Sequence, residues 1–230
     1  MKRLFFSIFF LLSFVYCFTQ EINDKEVDSL YKEDQFYAGV TYNLLGNMRT
    51  DVSQSGFSLG FHLGFIKDMP INKDRNVAIG IGLGYSANSF NHNILINRDN
   101  TGAITYSILR DGNTFIKNKF SSHLIELPIE FRWRTSTATE YNFWRIYTGF
   151  KLGYVFAHTT KYRGDLGRIR YTNIEDFNNF QYGLTLSAGY NTWNIFLYYA
   201  LNPIFSNNAN LDERKIDMNA IKIGLMFYIL

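Results

Sequence analysis

The residues with the clearest chemical potential are charged side chains in the middle of the chain. Two acids and four bases are involved: Glu126, Glu130, Arg132, Arg134, Arg145 and Lys151. Within each of two arms they alternate with apolar residues, so in a strand they would share one face. A buried charge without a partner is costly. We therefore hypothesise that one acid pairs with a base across the hairpin, as Glu126 with Lys151 or Glu130 with Arg145.

Other patterns that could hold a cofactor or a metal are weak. The run Gly80-Ile81-Gly82-Leu83-Gly84 resembles a dinucleotide-binding loop only superficially, because its glycines alternate along a strand and no helix pattern follows. The four histidines are His62, His92, His123 and His158, and no two of them have metal-ligand spacing. The sequence therefore predicts no cofactor and no metal.

The length and the N-terminus indicate a single exported domain. The chain has 230 residues and a formal charge of only +3, with scattered bases, so nucleic acid is not a predicted partner. Lys2 and Arg3 precede a short apolar run from Leu4 to Val15, which is typical of a secretory signal peptide. We predict a signal peptide over residues 1–19, a charged periplasmic lead-in over 20–35 and one domain over 36–230.

Eight segments of that domain alternate between apolar and polar residues with a period of two, which is the pattern of amphipathic strands. They are Phe36–Leu45, Phe57–Phe65, Val77–Ser86, the two arms of Phe120–His158, Gln181–Tyr190, Trp193–Leu201 and Ile221–Ile229. Short connections are predicted near 67–76, 135–142 and 191–194, and longer polar ones near 88–119, 159–179 and 206–217. These features predict an all-β fold, an eight-stranded antiparallel transmembrane β-barrel of the outer membrane.

The facing of the strands separates this barrel from a secreted, lipocalin-like one. The polar face is rich in glycine, which suits a narrow lumen, whereas the apolar face is too bulky to fit inside. Arginine or lysine facing lipid would cost about 2–4 kcal/mol, so the charged face is predicted to point inward. Trp133, Trp144, Tyr190 and Trp193 lie near the short turns, as expected for an interfacial girdle. We predict that both termini are periplasmic and that the inward charges form a plug; a gate or conduit is the alternative.

An enzyme at the outer rim is a further alternative. Some outer-membrane barrels are hydrolases or acyltransferases with a histidine and a serine or aspartate there. His92, His123 and His158 could lie near that rim, with Ser121 and Ser122 beside His123. We interpret these histidines as solvated loop residues and predict that the protein is not an enzyme.

Four stretches carry a family resemblance. The sequences IELPIEFRWRTST, FWRIYTGFKLGY, FQYGLTLSAGYNTWN and the terminal IGLMFYIL are similar to the PorT family of Bacteroidota, a branch of the small outer-membrane β-barrels. The resemblance implies a role in the type IX secretion system, in contact with other translocon subunits, in the export of cargo proteins and, in gliding species, of adhesins. It implies no catalytic residue.

The last strand has a second resemblance. Lys222–Ile229 resembles the signal read by the barrel-assembly machinery, with Ile229 in place of the usual second aromatic residue. That machinery is therefore an expected partner during biogenesis. A generic structural or adhesion barrel remains the alternative function.

Overall fold

The computed structural model describes residues 31–110, 112, 114–136 and 143–229. The predicted signal peptide, residues 1–19, and most of the predicted lead-in lie outside this range. The described residues form strands and contain no helix that is long and apolar enough to cross a membrane. The strands are β1 (Gln35–Gly46), β2 (Leu59–Pro70), β3 (Val77–Asn91), β4 (Ile94–Arg98), β5 (Ile104–Ile108), β6 (Phe115–Arg134), β7 (Trp144–Gly164), β8 (Gly167–Thr172), β9 (Phe180–Tyr190), β10 (Trp193–Pro203), β11 (Asn210–Leu211), β12 (Arg214–Lys215) and β13 (Asn219–Ile229).

Eight of these strands close into a barrel. Their order around it is β6, β3, β2, β1, β13, β10, β9 and β7, and β7 pairs with β6 again. Every pairing is antiparallel, and the seam between the first and last strands aligns Phe36 with Ile229. The predicted eight-stranded antiparallel barrel is confirmed.

The two faces of each barrel strand differ as the period of two predicts. Along β10, buried and exposed residues alternate, and the exposed ones are large and apolar, including Trp193 at 64% and Ile195 at 66% exposure. The inward face is mostly polar or glycine, and a few large side chains such as Tyr37 and Phe196 fill the narrow lumen between them. At Gly84 of β3, a Cβ atom would collide with the Tyr37 hydroxyl, because the Tyr37 ring lies over the inner surface of β2 and β3.

The barrel has two unlike ends. At the short-turn end lie the connections 71–76 and 191–192 and the described parts of the β6–β7 connection, 135–136 and 143, together with residues 31 and 229. At the long-loop end lie 47–58, 92–110, 112, 114, 165–179 and 204–218, which contain the hairpins β4–β5 and β11–β12 and the strand β8. Much of the polar stretch predicted for 88–119 is strand, since β3 continues to Asn91 and β6 begins at Phe115.

The loops at the long-loop end form a packed cap over the lumen. Phe120 is fully buried, and its ring lies 5.4 Å from that of Phe177 and 5.6 Å from that of Phe205, measured between centroids. Ile94, Leu211 and other apolar loop residues join the same cluster. These segments were predicted as polar loops, but their isolated apolar residues meet in space and bury one another.

Candidate functional site

The lumen near the short-turn end contains a buried ion cluster centred on Asp68 of β2. Arg134 binds the Asp68 carboxylate with its two terminal guanidinium nitrogens, Nη1 to Oδ1 at 2.8 Å and Nη2 to Oδ2 at 2.8 Å. Arg132 adds a third contact, Nη1 to Oδ1 at 3.0 Å. None of the three side chains is exposed to solvent. The bidentate contact fixes the position of Arg134, and the single charge-assisted contact holds Arg132 beside it.

The Arg132 guanidinium has further partners besides Asp68. Its Nε lies 3.1 Å from Oε2 of Glu130, two residues earlier on the same strand. Its Nη2 donates a 2.9 Å hydrogen bond to Oε1 of Gln35, and its guanidinium lies 4.4 Å from the centre of the Tyr147 ring. Each of the three guanidinium nitrogens therefore has a partner within the protein, which offsets the cost of burying the cation.

The end of the predicted lead-in takes part in this cluster. The Glu33 amide donates to Oδ2 of Asp68 at 3.1 Å, and the Asp68 amide donates to Oδ1 of Asp34 at 2.8 Å. Tyr31 donates to the Glu33 carboxylate, and burial together with this bond raises the pKa of the phenol. Residues 31–35, at the end of the charged lead-in predicted over 20–35, therefore pack into the barrel and close its short-turn mouth.

A second cluster surrounds Glu126 of β6 in the middle of the lumen. Lys151 Nζ lies 3.0 Å from Oε2, and the Ser86 hydroxyl donates to Oε1 at 2.7 Å. Lys222 Nζ lies 4.0 Å from Oε1, and His62 Nδ1 lies 3.7 Å from Oε2. One carboxylate therefore joins four other barrel strands: β2, β3, β7 and β13.

The hairpin register explains which of the suggested pairs meet. Glu126 is directly opposite Gly153, and Lys151 is opposite Pro128, so their side chains meet diagonally. Glu130 is opposite Gly149 and contacts Arg132 instead of Arg145. The hypothesis that one acid pairs with a base across the hairpin is therefore confirmed by Glu126 and Lys151, whose charged atoms lie 3.0 Å apart. Glu130 and Arg145 do not form such a pair.

Arg145 is placed apart from both acids. Its guanidinium lies 4.5 Å from the Phe143 ring centre and 5.4 Å from that of Tyr228. The ion pairs formed within the described residues do not include it. Aromatic faces attract a desolvated cation, so this contact offsets part of the cost of burial.

The two clusters fill the lumen. A cavity of about 10 Å³ lies between them, bordered by Tyr37, Glu130, Lys151 and Tyr228. That space is about enough for a single water molecule. Side chains therefore occupy the barrel interior between the short-turn mouth and the cap.

The histidines named as rim candidates lie in different environments. His92 and His158 are buried, so the interpretation of them as solvated was wrong: the cap covers them. The His158 ring stacks on Phe177 at 4.2 Å and its Nε2 lies 2.9 Å from the Ile174 carbonyl oxygen. His123 lies on the outer face, with Nδ1 2.7 Å from the Tyr85 hydroxyl.

Two serines were grouped with these histidines. Ser122 faces the lumen opposite His158 across β6 and β7, whereas Ser121 is outward. The described residues contain no group of three or more acidic, histidine or cysteine side chains able to hold a metal ion.

Comparison with known proteins agrees with this geometry. A family model described as outer membrane protein beta-barrel domain matches residues 18–206. The chain belongs to this outer-membrane barrel family. The family places the barrel in the outer membrane, with its apolar outer face in lipid. No curated protein matches the chain.

Two solved structures are similar to this chain at low sequence identity. The attachment invasion locus protein Ail of Yersinia pestis is 12% identical, with 87% of this chain and 100% of that chain covered and a TM-score of 0.32. A structure titled "Asymmetric conductivity of engineered proteins" is 8% identical, with 86% and 100% covered and a TM-score of 0.22.

The filled lumen of this outer-membrane barrel leads to a prediction about conductance. We expect the purified protein to give no large steady pore when reconstituted in planar bilayers, because ions would have to pass two buried charge clusters. Single-channel recording at several voltages measures this. A steady open level in most insertions would contradict the plug and favour a conduit.

His92 in the cap makes stability depend on pH. Burial lowers the pKa of His92 to about 4, and its Nδ1 accepts a hydrogen bond from the Ile94 amide at 3.1 Å. An exposed histidine has a pKa of about 6.5, so the unfolded cap binds the proton first as the pH falls. The stabilisation is present above pH 6.5 and is lost towards pH 4, on the order of 3 kcal/mol in total.

We expect hydrogen exchange at residues 92–96 to accelerate between pH 7 and pH 5 after correction for intrinsic exchange rates. A His92→Gln variant is the control, since glutamine does not titrate and should show a flatter pH profile. Equal pH dependence in both proteins would assign the effect to another group.

Proposed function

We propose that this outer-membrane barrel is a non-enzymatic component of the type IX protein secretion system. The proposal rests on the resemblance to the PorT family, which is densest in β6 and β7. One observation connects that resemblance to the structure: these two strands supply all six charges first singled out, Glu126, Glu130, Arg132, Arg134, Arg145 and Lys151.

The filled lumen favours an accessory role in secretion over a role as the export channel. An eight-stranded interior holds only side chains or one small ligand, so it does not pass a folded protein. Here that interior is occupied by ion pairs. We propose that the barrel acts through its surfaces, by contacting other translocon subunits, after insertion by the barrel-assembly machinery.

The orientation proposed for the barrel places both termini in the periplasm and the long-loop end outside the cell. Short turns at one end and longer loops at the other are typical of such barrels. Exposed Trp144 and Trp193 at the short-turn end are consistent with an inner interfacial girdle. We expect a membrane-impermeant thiol reagent on intact cells to label Thr101→Cys in the β4–β5 hairpin but not Lys73→Cys in the 71–76 turn. The reverse labelling would invert the topology.

Gene deletion tests the secretion proposal. We expect cargo proteins to accumulate in the periplasm of the deletion strain and export to return with a wild-type copy. Normal export without the gene would end the proposal. It would instead support a structural or adhesion barrel, an alternative favoured by the large packed cap.

A rim-active enzyme is the remaining alternative, and the placement of Ser122 opposite His158 is the observation in its favour. We expect His123→Ala and His158→Gln strains to keep an unchanged lipid composition. A changed lipid A or phospholipid profile in the His158→Gln strain, with normal protein levels, would favour the enzyme.

A further inference from the structure

Beyond the barrel, β6, β7 and β8 form a three-stranded arm at the long-loop end. The arm carries two cross-strand rows of cations: Lys119, Lys161 and Arg170 in one, and Lys117, Arg163 and Arg168 in the other. Each row aligns three positive residues as direct neighbours. We refer to these six residues as the basic face.

The basic face continues the lipid-facing side of the barrel. On β6, Lys119 and Lys117 follow the outward positions of Ile125 and His123, and on β7, Lys161 and Arg163 follow that of Phe156 after a bulge. Four of the six side chains are exposed, and Lys119 and Lys161 are half-buried. The cations therefore stand directly above the apolar band on the same side of the protein.

No described acid neutralises the basic face. The ion pairs within the described parts of the chain all use other bases. Asp165, in the turn between β7 and β8, accepts a hydrogen bond from Tyr162, whose ring is buried on the opposite face. Like charges directly opposite one another destabilise a sheet, so the arrangement requires another explanation.

Protection of a sheet edge does not provide that explanation. Lysine and arginine on an edge strand prevent pairing with other chains, and β8 is such an edge. Lys119 and Lys161, however, lie on β6 and β7, which are paired on both sides at these positions. Protection of an edge strand therefore does not explain the charges of Lys119 and Lys161.

The height of the basic face matches the headgroup region. His123 and Tyr85 are hydrogen-bonded on the outer face near the upper limit of the apolar band, at 2.7 Å. Lys119 is four positions further along β6, which at about 3.3 Å per residue and a tilt of ~40° is roughly 10 Å higher. Flexible lysine and arginine side chains at that level reach down towards lipid phosphates.

We propose that the basic face binds the phosphate groups of phosphorylated lipids in the outer leaflet. Guanidinium and ammonium groups pair strongly with phosphate, and arginine does so with two parallel hydrogen bonds. The surface is continuous with the lipid-facing wall, which favours a membrane lipid over a soluble polyanion. The proposal rests on the orientation given above but not on the role in secretion.

Lipid binding by the purified full-length protein tests this proposal. The protein is placed in phosphatidylcholine nanodiscs and titrated with bis-phosphorylated lipid A or with its dephosphorylated form, with bound lipid counted by native mass spectrometry. The test variant is Arg163→Gln/Arg168→Gln, an exposed cross-strand pair of the basic face. The matched control is Arg214→Gln/Lys215→Gln, which removes two exposed charges from β12 at the same end.

We expect the phosphorylated lipid to bind more tightly than the dephosphorylated one. Each cation near an anionic surface raises the binding affinity about fivefold, so the test variant, which lacks two, should bind the phosphorylated lipid roughly 25-fold more weakly than wild type. The affinity of the control variant should stay within about twofold of wild type. Equal affinity for both lipids, or an equal loss in the control variant, would overturn the proposal. So would tighter binding of a soluble sulfated oligosaccharide, which would assign the basic face to a polysaccharide.

Two further measurements keep these outcomes separate. Heat-modified migration on gels reports whether each variant folds. If the double variant does not fold, the single exposed substitution Arg170→Gln replaces it. Nanodiscs expose both ends of the barrel, so a failure of lipid binding is distinct from a reversed topology, which the cysteine labelling reports.

Discussion

Asp68→Asn is expected to lower the free energy of unfolding of the barrel by about 3–5 kcal/mol. The substitution keeps the size of the side chain but removes the charge that Arg134 binds at 2.8 Å with both guanidinium nitrogens. Arg132 keeps the Glu130 carboxylate as a partner. Arg134 keeps a hydrogen bond to the Arg75 carbonyl oxygen, and the carboxylate left nearest to it is that of Glu33, 3.9 Å away. Most of the loss therefore comes from a buried guanidinium that has lost its close partner.

Urea unfolding in detergent micelles, followed by tryptophan fluorescence and gel migration, measures this change. Asp74→Asn in the adjacent short turn is the matched control, because that carboxylate is exposed. Its effect should stay within about 0.5 kcal/mol. Similar stability of the two variants would show that the Asp68 cluster does not hold the short-turn end together.

Glu126→Gln is expected to have a comparable effect through the second cluster, about 3–5 kcal/mol. It leaves two buried ammonium groups, Lys151 and Lys222, without a charged partner in the middle of the lumen. The nearest compensation is from aromatic rings, with Lys222 Nζ 4.8 Å from the Tyr198 centroid. Such contacts offset only part of the cost of burial.

The same urea unfolding measurement applies to Glu126→Gln, and a second substitution tests whether the unpaired charges cause the loss of stability. Adding Lys222→Met to Glu126→Gln removes one of the two unpaired charges, so part of the stability should return. Glu175→Gln, at an exposed acid of the cap, is the matched control and should be close to neutral. If the double variant is less stable than Glu126→Gln alone, the charge account of this cluster is wrong.

The barrel could be predicted from the sequence because its determinant is local. Alternation along β6 already separates Glu126 and Arg132 from Ile125 and Phe131, and a narrow lumen requires the charged set to face inward. Of the partners of those charges, only Lys151 for Glu126 was predicted. Asp68 lies in a segment taken for a turn, because charges next to Pro70 resemble a turn when only neighbours in sequence are considered.

The register of the strands and the contacts between distant residues also could not be predicted from the local alternation of polar and apolar residues. Any even shift of β6 against β7 preserves which residues face inward, so the period of two does not fix the alignment of Glu126 with Gly153. His62 and Lys222 are single polar residues among apolar neighbours, and the pairing and curvature of the strands bring them to Glu126 from β2 and β13. The cap residues Phe120 and Phe205 likewise meet only in three dimensions.

The seam between β1 and β13 has a consequence for the order of folding. Phe36 pairs with Ile229, so the first barrel strand meets its second neighbour only when the last strand arrives. Contacts between such distant parts of a chain form slowly, since most of the chain must be arranged first. A chain cut short before β13 would thus retain two open strand edges instead of closing into a smaller barrel, and open edges recruit other chains. Truncated products should aggregate or be degraded.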